Sequence, residues 1–221
     1  MNTNAFDTGE PVSVFFDALI LAGGRGSRLG GIDKAALIIE KERMVDRVIS
    51  VVRKAGAARI IVAGPEHAGS LANVVVREDP PFSGPLAALG IALDEVYAPW
   101  VMLLACDLLH PTEVSDQLLS ALKNGAIQQS QGDGPQKIHG VVLSDENGRQ
   151  QWLASCMNTA VLREALEKVL RSNGTLEGGS LSALFSHMEL LSIPALPGST
   201  EDIDTPEHLA AAQKLDGKAL S

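Results

Sequence analysis

Leu21-Ala22-Gly23-Gly24-Arg25-Gly26-Ser27-Arg28-Leu29-Gly30-Gly31-Ile32-Asp33-Lys34 is the stretch that orders the rest of the chain. The apolar run Phe15 to Leu21 leads into it and reads as a buried strand. Small residues then follow, so backbone N–H groups can close on a ligand without a side chain in the way. Three cations come next, Arg25, Arg28 and Lys34. A strand that ends in a small-residue loop and then presents cations is an arrangement for binding phosphate. Two commoner loops are excluded. The dinucleotide fingerprint G-x-G-x-x-G, started at Gly24 and Gly26, needs glycine where Leu29 stands. The Walker pattern needs Gly-Lys-Ser/Thr, and Lys34 lies between Asp33 and Ala35.

Working outward, apolar runs alternate with helical faces. Val45, Val48, Ile49 and Val52 mark one side of a helix that stops before Gly56, and Arg59 to Ala63 is a continuous apolar run suited to a strand covered on both faces. Asn73 to Val76 reads as a further strand. Leu86, Leu89, Leu93 and Val96 line a helix, and Trp100 to Cys106 is a strand that stops at Asp107. A helix starting near Thr112 is expected to end at Gly125, with a polar surface loop from Gln128 to Gln136. Ile138 to Leu143 and Gln151 to Cys156 read as a hairpin turned by Asn147-Gly148. Thr159 is expected to cap the next helix, Ser180 to Met188 to form a shorter one, and Glu189 to Pro194 a strand. Thr205-Pro206-Glu207 opens a last helix. The order predicts an α/β fold: one three-layer domain over residues 13–221, an open and mainly parallel (mixed) sheet with helices on both faces and a late antiparallel excursion. Residues 1–12 are expected to form a disordered arm.

The chain has 221 residues, a net charge of −9 and 45% hydrophobic residues, the composition of an ordinary soluble globular domain. That charge argues against a nucleic-acid backbone as the main partner, but a nucleotide needs only a local cluster of cations. Cys106 and Cys156 lie far apart in no C-x-x-C, and the five histidines have no paired ligand spacing. With no signal peptide and no membrane span in the sequence, the expected location is the cytoplasm.

Open parallel sheets take ligands at the carboxyl ends of their strands. The glycine loop, Asp79 and Asp107 all fall at such ends. A carboxylate there, facing a phosphate loop, is where a magnesium ligand belongs, although Asp107 can equally start a loop ahead of Pro111. Asp202 and Asp204, one residue apart in an extended segment, point to the same side and offer a second pair of carboxylates.

The Leu21–Lys34 stretch resembles the signature L-A-G-G-x-x-x-R-M-G-x-x-x-K of nucleotidyltransferases, in the spacing of the molybdenum cofactor guanylyltransferases (the MobA family); Leu29 stands where that family has Met. The resemblance runs from about Ala18 to Val114 and again from Asp202 to Leu209. It implies a fold of the nucleotide-diphospho-sugar-transferase (Rossmann-like) type, and GTP and molybdopterin as substrates. Arg28 and Lys34 would hold the triphosphate. Asp107, with Asp204 or Asp202, would hold Mg2+. Leu21, Ala22, Gly23 and Gly24 would offer backbone groups to the nucleoside, and Asp79 and the Gly84-Pro85-Leu86 segment would lie against the nucleotide. The hairpin would face the pterin. Transient contact with molybdenum cofactor biosynthesis proteins or acceptor enzymes is also implied. Two features pull against each other. Asp202-Ile203-Asp204 is the form found in cytidylyltransferases that act on the same pterin, whereas Gly84-Pro85-Leu86 is the guanosine form. The alternatives are a cytidylyltransferase, a sugar-1-phosphate nucleotidylyltransferase, and a nucleotide binder without turnover.

Overall fold

A computed structural model gives the fold and describes residues 14–24, 34–39, 41–131, 138–186 and 188–203, with the side chains of 125–131 left out. In chain order the elements are β1 (Phe16–Leu21), the short antiparallel pair β2 (Ile38–Ile39) and β3 (Glu42–Arg43), α1 (Met44–Lys54), β4 (Ile60–Ala63), β5 (Val74–Val76), α2 (Pro85–Leu93), β6 (Trp100–Ala105), α3 (Pro111–Gln131), β7 (Gly140–Ser144), β8 (Gln150–Asn158), α4 (Thr159–Asn173), α5 (Leu181–Phe185) and β9 (Leu190–Pro194). The main sheet has the order β5-β4-β1-β6-β8-β7-β9. The first four of these strands are mutually parallel, β8 runs against both β6 and β7, and β9 lies parallel to β7. The hairpin is therefore built into the main sheet, with its second strand as the direct neighbour of β6.

All six residues of β1 are buried because both faces of the sheet are covered. Phe16, Ala18 and Ile20 pack with Val48 and Val52 of α1 and with Val114 and Leu118 of α3. Leu19 and Leu21 pack on the other side with Leu89 and Leu93 of α2, Leu162 of α4 and Phe185 of α5. A strand enclosed in this way has no solvent side to mark with polar residues, which is why the strands read as unbroken apolar runs. Asp17 is the exception. It is buried and accepts the backbone N–H groups of Tyr97 at 2.7 Å and Ala98 at 2.9 Å, which ties the turn before β6 to the amino end of β1.

Two local expectations differ from the structure. The third helix does not stop at Gly125 but runs on to Gln131, so residues 128–131 of the expected Gln128–Gln136 loop are helical, because one interior glycine costs only about 1 kcal/mol relative to alanine. The fourth helix is capped by Asn158, whose Oδ1 accepts the N–H groups of Ala160 and Val161. Thr159 is the first helical residue and donates its hydroxyl to the carbonyl of Ala98. The proposed N-terminal arm and the helix opening at Thr205 lie outside the described residues.

Candidate active site

The four parallel strands finish level with one another, Leu21 standing opposite both Ala63 and Ala105, and Ala63 opposite Val76. The ladder extends a residue further. Ala22 donates its N–H to Ala63, Gly64 to Val76, and Cys106 to Leu21. The starts of three loops are thereby fixed in one plane. Gly64 has to be small, since a Cβ there would come within 3.0 Å of the Ala22 backbone.

Over this edge lies a crevice in two halves. The half above β1 and β6 has a volume of about 400 Å³ and is lined by Leu21, Lys34, Gly84, Pro85, Asp107 and Asp202, with Leu153 of β8 at its far wall. The half above β4 and β5 measures about 500 Å³ and is lined by Gly64, Pro65, His67 and Arg77. Ala22, Gly23, Gly24, Glu78 and Phe82 border both.

Lys34 and Asp107 are 73 residues apart and meet here, Nζ donating to Oδ2 at 2.6 Å. Lys34 starts a single 3-10 turn (Lys34–Ala36) whose Ala35 is sunk in the core, which fixes the direction of the lysine. Its side chain is 25% exposed, that of Asp107 only 7%. Asp107 is thus more enclosed than a strand-end residue facing solvent would be. Asp202 reaches the same wall through an antiparallel bridge to Leu108 and a hydrogen bond from Leu109 N–H to the Glu201 carbonyl. The next residue, Ile203, is buried with Leu37, Ile39 and Met44 and anchors the segment. Sequence separation hides this contact, but the pairing of an acid with a fully apolar neighbour in Asp202-Ile203 is its signal.

The amino end of α2 borders the crevice. Gly84 takes φ +103°, which glycine alone adopts easily, and Pro85 occupies the first turn. The unpaired N–H groups and positive dipole end of that helix favour an anionic ligand. Leu86 is different. Its side chain is fully buried in the core and supports the helix from below, so it does not line the crevice.

Asp79 is exposed and lines neither half, while its neighbour Glu78 is buried and lines both. Successive residues of an extended segment face opposite ways, so only one of two adjacent acids can turn inward, and the sequence does not say which. Glu78 Oε1 accepts the N–H of Phe82 at 2.9 Å, and its Oε2 has no hydrogen-bond partner. Arg28 and Asp204 lie outside the described residues. Among those residues no group of three or more His, Cys, Asp or Glu comes together as a self-sufficient metal cage, and no helix is long and apolar enough to cross a membrane.

Comparison with known proteins agrees with this architecture. A molybdenum cofactor guanylyltransferase from Haemophilus influenzae is 26% identical over 208 residues, covering 90% of this chain and 97% of that protein. One from Pseudomonas putida is 33% identical over 159 residues, covering 67% of this chain and 83% of that protein. The structure of molybdopterin-guanine dinucleotide biosynthesis protein A from Archaeoglobus fulgidus superposes with a TM-score of 0.65 at 14% identity, covering 91% of this chain and 99% of that one, a likeness of fold. The family model described as MobA-like NTP transferase domain matches residues 18–188. By a match that takes in both the glycine loop and the strand ending at Asp107, the chain belongs to the MobA-like NTP transferase family.

Proposed function

We propose that the protein transfers the GMP unit of GTP to molybdopterin and releases pyrophosphate. The observation that carries this reading is the Lys34–Asp107 pair, a cation and a carboxylate held 2.6 Å apart at the carboxyl edge of the sheet, beside the glycine loop and in the half of the crevice above β1 and β6. The relatives named as molybdenum cofactor guanylyltransferases supply the base and the acceptor. An oxygen of the acceptor phosphate attacks the α-phosphorus of GTP in line. The bond from that phosphorus to the bridging oxygen breaks, and its electron pair leaves with pyrophosphate. The step needs no covalent enzyme intermediate, so the protein contributes positioning and charge neutralisation.

Lys34, with Arg28, binds the triphosphate. The nucleoside lies along the backbone of Ala22 and Gly23 in the half over β4 and β5, and the pterin in the other half, towards Leu153. Asp107 with Asp202, or with Asp204, would hold Mg2+. Magnesium at a nucleotide uses one or two protein carboxylates and takes its other ligands from phosphate and water. Asp107 and Asp202 on one wall supply that number. Bound there, Mg2+ would neutralise phosphate charge. Asp107 is paired with the Lys34 ammonium, which would turn to the phosphates and leave its place on the carboxylate to Mg2+. Work in the cytoplasm, with transient contacts to cofactor biosynthesis proteins or acceptor enzymes, goes with this reading.

A second reading, transfer from CTP, is favoured by the Asp-Ile-Asp segment. Guanine is preferred because the acids face phosphate and metal, where Asp and Asn both offer an oxygen, whereas the glycine loop borders the half that takes the nucleoside, where a base would be told apart by shape and hydrogen bonding. Incubation with each of four labelled nucleoside triphosphates, Mg2+ and molybdate-loaded molybdopterin tests this. Pyrophosphate release with GTP supports it, and release with none of them refutes it.

A further inference from the structure

The mechanism above gives no task to Phe82, yet the structure holds this residue in an uncomfortable state. Its φ is +68°, a backbone conformation that residues with a side chain rarely adopt. The residue is 49% exposed and lines both halves of the crevice. The conformation is enforced from several sides. The Phe82 N–H is held by Glu78 Oε1, Ser83 donates its hydroxyl to the Pro80 carbonyl at 2.6 Å, and Gly178 N–H donates to the Ser83 carbonyl at 2.8 Å. The Arg77 guanidinium lies over the ring, 5.3 Å from its centroid. Glycine would fit this backbone without strain, and a polar residue would suit the exposure. Strain that the surroundings enforce, at the wall of a ligand site, points to a use for the side chain.

We propose that the Phe82 ring is the stacking platform for the purine base of the nucleotide, steadied by Arg77. The inference rests on the reading of the site as a GTP site. Two flat heterocycles enter the reaction, the base and the pterin. The base is favoured because Arg77, which orients the ring, lines only the half over β4 and β5, whereas Lys34, Asp107 and Asp202 occupy the other. A stacking platform gains more from the larger face of a purine than from a pyrimidine. Phe82 therefore also adds to the preference for guanine over cytosine.

The test compares GTP and inorganic tripolyphosphate binding, by calorimetry with Mg2+, in the wild type and three variants. Phe82→Ala should weaken GTP about tenfold, the scale of one lost base–aromatic stack, and leave tripolyphosphate within about twofold. Phe82→Trp should restore GTP affinity and show fluorescence quenched by GTP but not by tripolyphosphate. Phe82→Gly should bind GTP as weakly as Phe82→Ala but melt at a higher temperature, because glycine relieves the positive φ. Unchanged GTP binding in Phe82→Ala, or equal losses for GTP and tripolyphosphate, would overturn the proposal. So would a raised KM for the pterin with GTP unaffected, which would assign the ring to the acceptor. Wild-type protein that binds GTP no better than tripolyphosphate would instead overturn the underlying nucleotide reading, and this outcome shows before any variant is made.

Discussion

Lys34→Ala removes the cation from a carboxylate that is otherwise enclosed. With its side chain 7% exposed, Asp107 would be left charged, poorly hydrated and without the ammonium now 2.6 Å away. Breaking a fully buried pair in this way costs about 3–5 kcal/mol. The Lys34 side chain is 25% exposed, so water reaches the pair from one side, and the cost is discounted to about 2 kcal/mol. For a domain of this size each kcal/mol lowers the melting temperature by about 2–4 °C, so the expected fall is about 4–8 °C in a metal-free buffer. Two additions make the cause specific. Mn2+ at about ten times its Kd should return roughly 1.4 kcal/mol to Lys34→Ala by binding the folded state alone. Asp107→Asn added to Lys34→Ala should recover most of the loss, since the stranded charge is gone. Thermal unfolding with chelator and with Mn2+ reads all of these. A Lys34→Ala protein that melts within 1 °C of the wild type, with no response to Mn2+, would refute the idea that this carboxylate needs a cation.

Asp107→Asn should lower turnover by about a hundredfold or more at limiting Mg2+, the scale of a lost charge aimed at the transition state. Because Asp107 is paired and enclosed, its loss should also lower stability measurably in urea titrations; normal activity at limiting Mg2+ would remove it from the metal site. Burial pushes the Cys156 thiol up from 9.0 to about 12. The unfolded chain therefore loses that proton first, and the contribution is complete below pH 9.0 and declines as pH rises from 9.0 towards about 12, by about 1.4 kcal/mol per pH unit. The stability of Cys156→Ala should fall less steeply than that of the wild type across this window, and parallel profiles would show that the thiolate is tolerated in the fold.

The sheet was legible because enclosure leaves a mark in sequence. Ile60 to Ala63 and Trp100 to Cys106 are apolar throughout, and β4 and β6 lie where those runs predicted. The position of Asp107 was legible for the same reason, since an acid directly after such a run must lie at the strand's end. Its partner was less so. Nothing local to Lys34 says that its ammonium meets a carboxylate 73 residues away; only the parallel pairing of β1 with β6 brings the loops after them together. The choice between Glu78 and Asp79 depends on which way the segment after β5 turns, a single rotation that two adjacent acids do not encode. Phe82 was illegible as a site residue because a lone aromatic in a proline-flanked turn carries no periodic signal, and its strain exists only in three dimensions. Asn158 was passed over as a cap in favour of Thr159, which stands one residue later and has the same capping chemistry.

The central claim is that the α-phosphoryl group and its guanosine pass to the pterin at this cleft. It is tested most directly by supplying the purified protein, Mg2+ and molybdopterin with GTP labelled at either the α- or the γ-phosphate, in competition with an equal concentration of CTP. The account predicts α-label joined to the pterin, γ-label in pyrophosphate, and GTP used at least tenfold faster than CTP, a difference of about 1.4 kcal/mol. The γ-label appearing on the pterin, or CTP being consumed faster than GTP, would contradict it.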